Sequence, residues 1–323
     1  MHDDRNFLAS LINDGRPLLK LTGLCLILSG LFAIFLSAAG QFLPHDVKYL
    51  GMTPDQLCAI NECRIVHFMF HDRVSFGGAI IAIGVMYLWL VEFPLKRGEA
   101  WSWWLLLASG IVGFGSFLAY LGYGYLDTWH GIATLGLLPC FGLGLWLAHS
   151  RLLPSERTHD IGIADTRMSW SSSYGLGRAG LLLASLGLAG GGLTILGVGM
   201  TSVFVPQDLA YMGLAADELR AINPRLVPLI AHDRAGFGGG VSTCGMLMVF
   251  SVWYSAPSRS LWQALCLSGL AGFGTAIGIH PIIGYTDGLH LGPAVAGSIV
   301  FGTGLVLTWK RMTSRLSTTP PRN

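Results

Sequence analysis

Charge is scarce in this 323-residue chain. Asp, Glu, Lys and Arg together make up 12% of it, while 52% is hydrophobic. So little charge cannot cover the water-facing surface of a folded domain of this length, which excludes an ordinary soluble protein. The formal net charge is only +2 and no basic run carries interleaved aromatics, which excludes a nucleic-acid surface. No P-loop, dinucleotide fingerprint or nucleophile elbow occurs, so the common soluble enzyme chemistries have no foothold. Cysteine is sparse too. Of six, Cys25, Cys140, Cys244 and Cys266 lie inside apolar segments, where a thiol serves as a small packing residue, and only Cys58 and Cys63 share a loop.

What the chain does have is apolar blocks of about 20 residues or more, the length an α-helix needs to cross a bilayer. The expected spans are 17–39, 64–93, 101–125, 128–149, 178–203, 227–255, 260–283 and 288–309. The first reads as a retained helix rather than a cleaved signal peptide, because no small-residue cleavage pattern precedes the next loop. With the N-terminus placed inside, 14 of the 20 basic residues fall on the cytoplasmic side; Lys48, Arg64, Arg73, Arg220, Arg225 and Arg234 fall on the other. Both termini are therefore expected in the cytoplasm, with the chain in the cell (inner) membrane.

Residues about 160 apart match. Phe42-Leu-Pro-His-Asp46 recurs as Phe204-Val-Pro-Gln-Asp208, and Ala59-Ile-Asn61 as Ala221-Ile-Asn223. His71-Asp72-Arg73 with Phe76-Gly-Gly78 recurs as His232-Asp233-Arg234 with Phe237-Gly-Gly239. Gly124-Tyr-x-Asp127-x-x-His130 recurs as Gly284-Tyr-x-Asp287-x-x-His290. The expected architecture is thus an all-α integral membrane protein of eight transmembrane helices, built as two tandem four-helix-bundle repeats. Four helices being an even number, both copies insert the same way up. Residues 1–150 form the first repeat, 151–177 a cytoplasmic linker and 178–323 the second. The outer loops, 40–63 and 204–226, can each hold a short surface helix. Thr53-Pro54-Asp55-Gln56 supplies an N-cap, a first-turn proline and a capping-box partner for one of them.

This topology puts His71, His130, His232 and His290 at similar depth near the outer face. Helices two and four of a repeat run parallel, so their histidines can face each other as axial ligands of a haem or as part of a smaller metal site. His67, one turn before His71, competes with it as a ligand, and its counterpart in the second repeat is Pro228. Asp127 and Asp287 read first as N-caps. Asp72 and Arg73 can form a local ion pair, with Arg73 snorkelling to head groups or binding an anion. Ionisable groups inside spans cost roughly 2.5 kcal/mol or more and usually persist for function, so four histidines in register argue for a shared role. Gly77-Gly78 and Gly238-Gly239 allow close helix contact or the approach of a flat macrocycle. His280 has Tyr120 or Leu121 opposite it in the repeat and reads as local to its own half.

Tandem four-helix bundles, histidines at the outer starts of helices two, four, six and eight, and a cysteine pair confined to the first outer loop together resemble haem A synthase, over about 17–309. The resemblance implies His67 or His71 with His130 as one ligand pair, and His232 with His290 as the other. It makes Cys58 and Cys63 a redox-active or structural pair. The glutamate which that family places one turn before its first helix-two histidine is replaced here by Arg64, or by Phe68 or His67, depending on which histidine is taken.

Three functions follow. The first is a haem b protein or haem-modifying oxidoreductase, with a quinone or another electron-transfer partner, in which the aspartates orient the imidazoles. The second is a non-haem iron, zinc or copper site acting on a lipid-soluble substrate, built from His71, Asp72, Asp127 and His130 and again from His232, Asp233, Asp287 and His290. The third is a small-molecule transporter, against which the apolar, glycine-rich membrane centre offers no charged pathway.

Overall fold

The computed structural model describes residues 14–118, 125, 128–150, 152 and 169–314, with the backbone alone for Phe117 and 128–130. Among the described residues the chain is all-helical, with no strand. The first half holds α1 (Arg16–Ala38), α2 (Pro44–Leu50), α3 (Pro54–Asn61), α4 (Arg64–Glu92), α5 (Ala100–Leu118) and α6 (Thr128–His149). The second half presents the same order: α7 (Ser173–Met200), α8 (Pro206–Met212), α9 (Ala216–Ile222), α10 (Leu226–Tyr254), α11 (Arg259–Ile283) and α12 (Gly288–Thr313). Seven of the long helices, all but α5, are long and apolar enough to cross a membrane as described. Most boundaries fall within one or two residues of the sequence expectation. The exceptions are α5, described to Leu118, α12, which runs on to Thr313, and α7, which ends at Met200 and starts at Ser173 because Ser172 caps it by accepting from the Gly175 N–H at 3.0 Å. Most of the expected linker, 151 and 153–168, lies outside the described residues.

Helices α4 and α10 are the most buried and pack on each other at the centre. Helix α1 lies against α4 where Gly23 and Gly84 meet backbone to backbone, and α7 lies against α10 where Gly192 meets Gly238. In a bilayer, such small-residue contacts replace the hydrophobic drive that packs soluble helices. The third long helix of each half then crosses over: α11 packs on α4 and α5 on α10. Gly78 of α4 leaves room for Thr275 of α11, and Gly239 of α10 for Ser116 of α5, so close helix contacts join opposite halves as well as helices of one half.

The short helices α2, α3, α8 and α9 roof one end of the bundle over an apolar cluster that includes Phe42, Phe68, Phe204 and Leu226. Thr53 caps α3 in a full capping box with Gln56, as its sequence indicates. Asn61 donates to the Met212 carbonyl at 2.7 Å and Asn223 to the Leu50 carbonyl at 2.8 Å, so each roof is tied to the other half.

Candidate metal centre

Beneath the roof a network of buried charge joins the two halves. The local Asp72–Arg73 pair expected from the sequence is not formed. Successive helical residues point about 100° apart, so Arg73 turns away from Asp72, which holds His71 and faces the other half instead. Arg73 reaches Asp46 at 2.9 Å and Asp233 at 2.8 Å, while Arg234 contacts Asp208 and lies 3.4 Å from Asp72. Neither arginine snorkels to head groups: Arg234 is 4% exposed and lies over the Phe68 ring, and Arg73 lies over Phe42. Tyr125 donates to Asp46, and Tyr285 to Asp208 at 2.8 Å. Burial would raise the Asp46 carboxyl, but the Arg73 charge and hydrogen bonds from His45 and Tyr125 outweigh it and hold Asp46 well below the usual carboxylate range. Burial, and then the Asp208 charge, push the Tyr285 phenol far up, so it stays a donor.

Of the sequence-selected residues, the structure brings His71 and His290 together, with ring centroids 5.4 Å apart. The partner they share is His280, the histidine expected to act only within its own half. It lies 4.5 Å from His71 and 5.3 Å from His290, ring to ring. Each of these three histidines offers one nitrogen, and those atoms all lie within 4.8 Å of one another. Helix α4 positions His71, the last turn of α11 positions His280, and the first turn of α12 positions His290, where Asp287 caps the helix by accepting from the His290 N–H at 2.8 Å. The cap reading of Asp287 therefore holds.

The tautomers follow from the neighbours. His71 Nδ1 lies 2.9 Å from an Asp72 carboxylate oxygen, and His280 Nδ1 lies 2.7 Å from the Ala276 carbonyl. Both partners only accept, so each Nδ1 carries a proton, and each Nε2 presents a lone pair wherever the ring is neutral. Those two Nε2 atoms face each other at 3.2 Å. Nitrogens this close hold a cation between them, either a proton, with one ring protonated on both nitrogens, or a metal ion. Two nitrogens on one tetrahedral zinc, at about 2.0–2.1 Å each, stand about 3.3 Å apart. The donor set fits a transition metal held by three imidazoles, with Asp72 and the Ala276 carbonyl as the outer acceptors that such ligands require.

The other selected residues fall elsewhere. His67 is half-buried and outside the cluster, and His232 is buried with its ring 5.3 Å from Tyr125. Asp233 binds Arg73, so the proposed set of His232, Asp233, Asp287 and His290 does not converge. Asp127 and the His130 side chain lie outside the described residues, and with them the first expected set. Cys58 and Cys63 form a disulfide at the end of α3. Sequence reasoning passed over Asp46, Asp208, Tyr125 and Tyr285 although all four sit in the recurring motifs; recurrence was the available signal.

From the histidine cluster an apolar cavity of about 730 Å³ runs along the long helices toward their middle. It is lined by Ser75 of α4, Phe237 and Cys244 of α10, Phe273 of α11, and faces of α7 and α12. Comparison with known protein families, curated proteins and solved structures finds no match for this chain, so the reading of the site rests on its geometry.

Proposed function

We propose that this multi-pass membrane protein binds one transition-metal ion through His71, His280 and His290 and uses it on a lipid-soluble substrate in the adjoining cavity. The observation that carries this reading is the 3.2 Å approach of two Nε2 atoms whose Nδ1 protons are already committed. Charge supports it as well. Among the described residues, Asp46, Asp72, Asp208 and Asp233 face two guanidinium groups, Arg73 and Arg234, and a divalent ion beside them would offset the excess. Three imidazoles leave a coordination position open, the arrangement of catalytic rather than structural sites. A metal held there supplies a Lewis acid that polarises a substrate oxygen or acidifies a bound water. The protein's own groups hold His71 and His280 in their metal-binding tautomers and keep the site under a roof.

The membrane arrangement belongs to the same proposal. Helix α5, a mostly apolar helix of 19 residues as described, acts as the eighth span. The chain is then two parallel four-helix repeats, 1–150 and 178–323, with the roof outside and both termini in the cytoplasm, as the distribution of Lys and Arg supports.

A haem is the second reading, favoured by the volume of the cavity and by its opening directly off a histidine. A porphyrin between His71 and His290 would need the place where His280 touches both, so this reading puts the haem in the cavity with a single histidine ligand. Elemental analysis and an absorption spectrum of protein purified in detergent decide between them. The metal reading expects about one zinc, iron or copper per chain without a Soret band, lost in His280→Ala; a Soret band supports the haem; neither metal nor haem overturns both.

A further inference from the structure

The cavity has a side door. Helices α7 and α12 touch near one end, where Gly177 and Gly180 lie against Gly304 and Val300. Toward the roofed end they part: a Cβ added at Gly187 or Gly191 of α7, both on the cavity, would meet nothing within 4 Å. Gly187, Gly191 and Thr194 are exposed on the flank of the bundle and line the cavity at once, and Pro293 and Gly297 form the facing edge. On a membrane-spanning bundle, that flank is bathed in hydrocarbon, so the cavity communicates with the acyl chains sideways. At its inner wall stands Ser75, one turn beyond His71. It is 1% exposed, and its hydroxyl has no hydrogen-bond partner among the described residues. A buried hydroxyl without a partner is costly, and one on a cavity wall is placed to bond an occupant.

We infer that the cleft between α7 and α12 is a lateral portal from the lipid phase, admitting a neutral single-chain amphiphile whose hydroxyl or carbonyl oxygen bonds Ser75 beside the histidine cluster. The occupant is apolar along its length because the walls are. Its head is neutral because the two arginines that could pair with an anion there, Arg73 and Arg234, are already engaged by Asp46, Asp72, Asp208 and Asp233. A cavity of about 730 Å³ falls in the range of about 300–1,000 Å³ typical of small-molecule sites, room for one chain rather than a whole phospholipid. This inference rests on the metal reading only for what happens to the head group; entry through the cleft is independent of it.

The test is photolabelling of the full-length protein in phosphatidylcholine nanodiscs with a hexadecanol carrying a diazirine on its chain. A diazirine-bearing phosphatidylcholine serves as the comparison probe, and metal content is measured on the same samples. The expected result is alcohol adducts on the cavity walls, at Phe237, Cys244 or Phe273, with the phospholipid confined to the outer belt. Gly191→Phe, or Gly187→Phe should that variant not fold, should bring wall labelling to background while belt labelling stays. Ser75→Ala should raise the alcohol concentration for half-labelling about twofold to tenfold, the worth of one neutral hydrogen bond. Alcohol adducts confined to the belt, or wall labelling unmoved by either glycine variant, overturn the portal even if the metal is bound. Wall labelling in protein that binds no metal supports the portal and sinks the metal reading alone.

Discussion

The Nε2 atoms of His71 and His280 lie 3.2 Å apart although 209 positions separate the two residues in the chain. His290 completes the triangle, and each of the first two rings is held from behind by an acceptor. A site assembled this way has consequences that can be measured one residue at a time.

His71→Ala, His280→Ala and His290→Ala should each abolish stoichiometric metal binding, whereas His232→Ala and His67→Ala should leave it intact. Asp72→Asn keeps the shape but weakens the acceptor behind His71, and should lower metal affinity about 10- to 100-fold. Mass-spectrometric metal analysis after dialysis against a graded chelator reads both effects. Retention of metal by His280→Ala would sink the three-histidine site.

Removing one member of the crossed charge network strands its partner in a dry interior. Arg73→Met should destabilise the protein by about 3–5 kcal/mol, and Arg73→Met combined with Asp233→Leu should recover part of that loss. Thermal melts of the two single variants and the double variant in one detergent form the cycle. Additive losses would show that Arg73 and Asp233 do not depend on each other.

Asp46 binds its proton less readily in the folded state than in the unfolded one. Its contribution to stability is therefore fully present above the unfolded carboxylate value of about 3.9 and is lost as the pH falls through the depressed folded value. The native protein should lose melting temperature on acidification below about pH 4, and Asp46→Asn should melt lower at pH 7 with a flatter acid limb. Parallel acid limbs would mean that Asp46 is not the group responsible.

The Cys58–Cys63 bridge closes a short loop beside the roof, so its loss should cost only about 2 kcal/mol. Cys58→Ser with Cys63→Ser should leave metal content unchanged. Metal loss on reduction alone would restore the redox-active role that the haem A synthase resemblance implies for this pair.

Membrane topology is open to single-cysteine labelling in intact cells. Lys48→Cys and Asp217→Cys should react with an impermeant maleimide from outside, and Ser314→Cys only after lysis. Equal reaction of Ser314→Cys in intact cells would remove the cytoplasmic C-terminus and the even number of spans.

Sequence alone determined the elements. Runs of apolar residues, Pro and Gly punctuation and a capping box mark where helices begin and end, and those signals are local. It also identified His71 and His290 as residues too costly to keep in an apolar span without a purpose. Which residues meet was decided only by the tertiary structure. In a soluble protein, the apolar face of a helix announces its partner side. In a bilayer, the lipid-facing side is apolar as well, so periodicity says little about which neighbour a helix chooses. Here that choice rests on small residues: Gly78 against Thr275 brings α11 onto α4, and the register of that contact carries His280 to His71. For the same reason Arg73 and Asp72, adjacent in the chain and plausible as a pair, part company and take Asp233 and Arg234 from the other half, because adjacent positions on a helix face different neighbours.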